Sequence, residues 1–193
     1  MASFQKVNAI LFAIDSAAVS GVVLSNPDED GRGRVRDYED VLTGEARTQK
    51  HRVQYVEEAV ELASDMQKPL VIIGEEWTPH GISTAAYASL CESWGMWLAA
   101  FEVCGVSDIK NGSHIVRVNP NTWRNAVFGK NRPKTRDALK AHAVRYVHLT
   151  LDQPANLSDN IAEAMCIRVW AQHVSEIHSL LKPAKKKAAA KKR

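Results

Sequence analysis

Four carboxylates stand where a carboxylate is costly. Asp15 closes the apolar run Ala9–Ile14, and Glu75 follows the continuously apolar Leu70–Ile73 after a single glycine. Asp159 and Glu163 open a third apolar segment, DNIAEAMCI, four residues apart and therefore on one helix face. A charge in such a place must be paired, hydrated or held by a cation. Singly, each has an ordinary reading: a turn former for Asp15, an N-cap for Asp159, a first-turn acid favoured by the helix dipole for Glu163. Together they are acids at the ends of apolar elements far apart in the chain, and that pattern fits a different chemistry. Carboxylates are hard ligands for Mg²⁺ or Mn²⁺. Two such ions about 4 Å apart can activate a water and stabilise the leaving 3′ oxygen in phosphodiester cleavage.

The elements that must position these acids follow from the apolar patterning. Ile10–Asn26, ILFAIDSAAVSGVVLSN, reads as two strands of a hairpin around the small residues Ser16-Ala17-Ala18. Val35–Leu42 is a weakly alternating third strand. Thr48–Met66 repeats apolar residues at three- and four-residue steps and predicts an amphipathic helix stopped by Pro69. Leu70–Ile73 predicts a strand buried on both faces. Ile82–Phe101 predicts a second helix, and Ile115–Val118 a further strand. Asn119 and Pro120 then read as cap and first turn of a helix holding Trp123 and Phe128. Two more helices are expected over Thr135–Val147 and from Ser158 or Asp159 to about Leu181. This order predicts an α/β fold, a mixed central sheet flanked by helices, in one domain over residues 1–181. Trp94, Trp97 and Trp170 are expected in the core, and Trp77 beside the acid of its strand.

Charge adds a second signal. The net +3 arises because Lys182–Arg193 carries seven Lys/Arg and no acid, leaving 18 basic against 22 acidic residues elsewhere. Within that acidic body, Ser113–Leu151 holds eight basic residues against Asp137 alone. A basic segment and a basic tail on an acidic body predict a polyanion partner. The Lys/Ala tail, 182–193, has nothing to bury and is expected to be disordered. No apolar run approaches the ~20 residues of a membrane span, and the N-terminus does not read as a signal peptide. Cys91, Cys104 and Cys166 are spaced neither for zinc nor for a disulfide framework, which predicts a reducing cytoplasm.

With these residues in view, AIDSAAVSGVVLSN, VIIGEEW and SDNIAEAMCI resemble the three acidic motifs of the RuvC-type crossover-junction endonucleases, in the ribonuclease H-like superfamily. The resemblance spans Val7–His178. It implies a ribonuclease H-like fold, a homodimer, and two Mg²⁺ ions (Mn²⁺ substituting) held by Asp15, Glu75, Asp159 and Glu163. Glu75 fits the second motif better than Glu76. The family's last pair is usually two aspartates three apart; here Asn160 stands three before Glu163, so both Asp159 and Asn160 are candidates for the fourth ligand. NTWRNAVFGKNRPKTRDALK is similar to the family's region ahead of the final helix. That likeness implies DNA contacts by Arg124, Lys130, Arg132, Lys134 and Arg136, with Lys134 as the basic residue near the scissile phosphate and Arg132 next. The dimer contact is assigned to Ile82–Phe101.

The implied activity is resolution of Holliday junctions, and of other branched DNA, by paired symmetric nicks leaving 5′-phosphate and 3′-hydroxyl ends. The compact size and the departures point to a bacterial or phage-type member. Three other readings share these features: a ribonuclease H-like nuclease on RNA–DNA hybrid, a noncatalytic DNA-binding protein of the same fold, and an interaction module with an incidental tail.

Overall fold

The computed structural model describes residues 7–27, 38–76, 83–106, 113–130 and 132–172, without side-chain detail at 27, 38 and 39. Trp77, the tail 182–193 and the expected end of the last helix near Leu181 lie outside the described residues.

β1 (Ile10–Asp15) and β2 (Ser20–Pro27) form the expected hairpin, joined by the small-residue turn. β3 is Tyr38–Ala46, shifted from the expected Val35–Leu42. The alternation of the segment is imperfect, and its register against β2 carries it through Thr43-Gly44-Glu45-Ala46. α1 (Gln49–Asp65) begins after Thr48, whose side chain accepts from the His51 amide, and ends at Met66. β4 (Leu70–Glu75) runs two residues past its apolar core and takes Glu75 as its last residue.

α2 (Thr84–Val103) starts after the cap Ser83 rather than at Ile82, and continues two residues beyond Phe101. β5 (His114–Val118) leads through the cap Asn119 into α3 (Pro120–Phe128). α4 (Arg136–Leu151) outruns its expected end at Val147, stopping at Asp152 in the left-handed conformation. α5 spans Asp159–Gln172. Ser158 is its backbone cap, its carbonyl accepting from the Ala162 amide, while its hydroxyl is given to Glu45.

The sheet order is β3-β2-β1-β4-β5, antiparallel through β3-β2-β1 and parallel through β1-β4-β5. Strand alternation divides the core into two layers. Ile10, Phe12, Ile14, Leu70 and Ile72 face α1 and α2, against Val56, Trp97 and Phe101. Leu11, Ala13, Val71 and Ile73 face α3, α4 and α5, against Trp123, Val147, Met165 and Ile167. Asp15 and Glu75 continue this second series, at the ends of neighbouring parallel strands.

Trp97 and Trp170 are core residues, as expected; Trp94 is only partly buried. Its ring lies against Gly74, where a Cβ would come within 2.4 Å, and under the Arg117 guanidinium. No helix among the described residues is long and apolar enough to cross a membrane.

Gly21 sets the height at which α5 sits on the sheet. A Cβ there would lie 2.0 Å from the Asn160 carbonyl oxygen, so the helix start rests directly on β2. Gly21→Ala must push that backbone away, and overpacking of this kind costs about 3 kcal/mol. Urea unfolding is expected to show a loss of that order, with an unchanged m-value.

Candidate active site

The turn after Asp15 is tied down by hydroxyls and a buried arginine. Ser20 Oγ donates to the Ala17 carbonyl at 2.9 Å, as does Ser93 Oγ at 2.8 Å, and Trp97 Nε1 donates to Ser20 Oγ at 3.0 Å. Arg52, on α1, reaches through the core to the Ala18 carbonyl and Ser93 Oγ, with its guanidinium over the Trp97 ring. The small-residue turn is thereby held by side chains of α1 and α2. Ser16 Oγ bonds the Glu75 carbonyl at 3.4 Å, joining the ends of β1 and β4.

Three carboxylates are buried near one another here, Asp15, Glu75 and Glu163, exposed by only 3, 2 and 4%. Trp123 Nε1 donates to Glu75 Oε1 at 2.6 Å. Arg124 Nη2 lies 2.8 Å from Glu163 Oε1 and 3.5 Å from Glu75 Oε1. One turn of α3 therefore supplies both partners. Burial pushes the Asp15 carboxyl well above its usual range, and repulsion from Glu75 and Glu163 adds to this against the pull of Lys140 and Arg124. Burial also raises Glu75 to about 7, opposed by Arg124, reinforced by Glu163, and opposed again by the Trp123 hydrogen bond.

Asp159 is not part of this group. At the rim, with its side chain 39% exposed, it pairs with Lys140 Nζ at 2.7 Å. Asn160 Nδ2 points instead to Glu45 Oε1 at 3.4 Å. Helical spacing did place Asp159 and Glu163 on one side of α5, but α4 supplies a cation to the first and α3 to the second. Glu76 is exposed, and its amide extends the β4–β5 pairing by donating to Val118.

The acids open into a cleft of about 410 Å³ lined by Asp15, Glu163, Arg124, Lys134, Arg136 and Lys140. The N-terminal half of α2 forms its other wall through Ala86, Ser89 and Leu90. Lys134 and Arg136, expected to contact DNA, therefore line the same cleft as Asp15 and Glu163. Lys130 is exposed. Arg132 is occupied by Asn125 Oδ1 and Asn121 Oδ1 at 2.9 and 2.8 Å on α3. The sequence offered no sign that Trp123 would serve Glu75, that Arg124 would bridge two acids, or that Lys140 would hold Asp159. The tryptophan–arginine pair on a Pro-started helix was the only local signal.

Asp15 Oδ2 and Glu75 Oε2 are buried without hydrogen-bond partners. Orphaned anionic oxygens beside a third carboxylate suit a hard divalent cation in donor chemistry and charge. As they stand, no three His, Cys, Asp or Glu side chains among the described residues converge closely enough to hold one. Arg124 lies between two of the acids.

No family model matches the sequence, and no curated protein matches it. Solved structures do. Thermus thermophilus RuvC superimposes with a TM-score of 0.57 at 15% identity, covering 88% of this chain and 96% of its own. T. thermophilus RuvC in complex with Holliday junction substrate gives a TM-score of 0.56 at 13% identity, covering 89% and 97%. The chain thus has the α/β, ribonuclease H-like fold of RuvC over nearly the whole length of both.

Proposed function

We propose that the protein is a metal-dependent endodeoxyribonuclease that resolves Holliday junctions and other branched DNA by paired nicks. The observation that carries this reading is a set of buried acids, Asp15 and Glu163 lining a cleft with Lys134, Arg136 and Lys140, and Glu75 buried behind Arg124, with an orphaned oxygen on Asp15 and on Glu75. The RuvC fold, seen with a Holliday junction in one of the matched structures, supports the choice of substrate.

In this mechanism Asp15, Glu75 and Glu163 would hold two Mg²⁺ or Mn²⁺ ions, and Asp159, paired with Lys140 here, would be the fourth carboxylate. The ions supply Lewis-acid activation of water and neutralise charge on the leaving 3′ oxygen. Lys134 and Arg136 hold the DNA strand through its phosphates, which steers binding without reading sequence. Trp123 holds the Glu75 carboxylate through Oε1, which leaves Oε2 without a protein partner and available to a cation. Two copies of the chain, related by a two-fold axis, would meet the two symmetric strands of a junction.

A panel of labelled four-way junction, linear duplex and RNA–DNA hybrid tests the reading. Faster cleavage of the junction, with incisions at symmetric positions on opposed strands, is expected. Cleavage of the hybrid alone would replace the proposal with a ribonuclease H-like activity. Binding of every substrate without a cut would replace it with a noncatalytic DNA-binding role. The double variant Lys134→Ala/Arg136→Ala is expected to weaken junction binding in a salt-dependent way. Losing two phosphate contacts lowers the slope of log affinity against log salt by about 2, measurable by fluorescence anisotropy.

A further inference from the structure

Among the described basic residues lining the cleft, Lys140 is paired with Asp159 at the rim, whereas Arg124 is paired with the buried acids. Its side chain is 14% exposed, and both ion pairs run through Nη2, while Nε is buried with no hydrogen-bond partner. The guanidinium lies over the Trp123 ring, 4.9 Å from its centroid, so one face of it rests on an aromatic surface rather than on a second carboxylate. A side chain fixed for structure alone would use the planar fork of its guanidinium against one carboxylate. Here a single nitrogen is shared between two acids from different elements, in the region a divalent cation would need. Its cleft neighbours Lys134, Arg136 and Lys140 share its charge, so an Arg124 released from the acids joins a surface suited to phosphate.

We propose that Arg124 is a built-in substitute for the cation, which closes the carboxylate site in the metal-free protein and moves into the cleft when a divalent ion enters. This rests on the metal-dependent reading above. While Arg124 is in place, its one charge is shared between Glu163 and Glu75, and the three acids do not converge on a common point. Ion entry must displace one positive charge with another, so the protein's own arginine competes for the site. Once displaced, Arg124 faces the phosphate to be cut. Full loading is thereby coupled to the presence of a DNA strand that can receive it, because a released guanidinium is stabilised by the phosphate.

The test is Mn²⁺ binding to the full-length, DNA-free protein, followed by the Mn²⁺ electron paramagnetic resonance signal, for wild type, Arg124→Gln and Asp15→Asn. The proposal expects Arg124→Gln to bind Mn²⁺ at least about fivefold more tightly than wild type, the lower end of ordinary coupling between sites. It also expects the variant to cut junctions more slowly, since the phosphate contact is lost. Equal or weaker Mn²⁺ binding by folded Arg124→Gln overturns the substitution role and leaves the metal-dependent reading standing. Mn²⁺ binding that Asp15→Asn does not weaken overturns the metal site itself, and this proposal with it. Should Arg124→Gln not fold, the wild-type guanidinium reports directly. Its ¹⁵N resonances are expected to change from hindered to free Cζ–Nη rotation on saturation with Mg²⁺, and unchanged resonances overturn the proposal.

Discussion

Asp15→Asn is expected to abolish the proposed junction cleavage, by a factor of about 10³ or more, and at the same time to make the metal-free protein more stable at pH 8. The first effect follows from the proposed role: a carboxylate holding the ions is replaced by a neutral amide, and the ions' contribution of several kcal/mol to the barrier is lost. The second follows from burial. Asp15 is 3% exposed, lies beside Glu75 and Glu163, and has an oxygen without a partner. Its pKa is raised in the folded state, so the stability it contributes is present at low pH and is lost as pH rises. At pH 8 the wild type carries this penalty and the amide does not. Loss of activity joined to a gain in melting temperature separates a functional acid from a structural one, whose removal would lower both. Junction cleavage and thermal unfolding in EDTA check the two halves.

Glu75 carries the second large effect. Its folded pKa, about 7, lies above the ordinary value of 4.5. The folded protein therefore binds this proton more tightly than the unfolded chain. The resulting stabilisation is complete below pH 4.5 and disappears as pH rises through 7, a change of the order of 3 kcal/mol. In urea titrations without divalent cations, Glu75→Gln is expected to gain on wild type steadily between pH 5 and pH 8. Part of the slope will remain, because Asp15 shifts in the same direction. Saturating Mg²⁺ is expected to shrink the difference, since an ion that binds only the folded wild type stabilises it. A constant difference across the pH range would mean that Glu75 is charged and paired throughout, with Arg124 as its permanent partner.

Both acids could be found from the sequence because strand physics exposes them. A charge closing an apolar run such as ILFAID or LVIIGE is a local anomaly, and period-two alternation puts Asp15 and Glu75 in phase with Leu11, Ala13, Val71 and Ile73. Glu163 was visible for the related reason that it lies within an apolar helix. Asp159 shows where local spacing stops. Its place on α5 follows from the sequence, but Lys140 claims it across an α4–α5 packing that no spacing along the chain encodes. Arg124 was legible as one charge in a basic segment, and its bridging of Glu75 and Glu163 depends on three elements meeting. The boundary of β3 was hard to place because the segment's own pattern is weak and its pairing with β2 decides where it runs. Nothing in the second apolar run, Val19–Leu24, marks Gly21 as a contact point, yet its lack of a Cβ is needed by the Asn160 backbone.

The most direct test of the central claim is incubation of the wild-type protein with an end-labelled four-way junction in Mg²⁺, in Mn²⁺ and in EDTA, with Asp15→Asn alongside. The account predicts paired nicks in both metals, none in EDTA and none with the variant. Nicks that persist in EDTA or in Asp15→Asn, or a junction bound tightly and left whole in both metals, would contradict it.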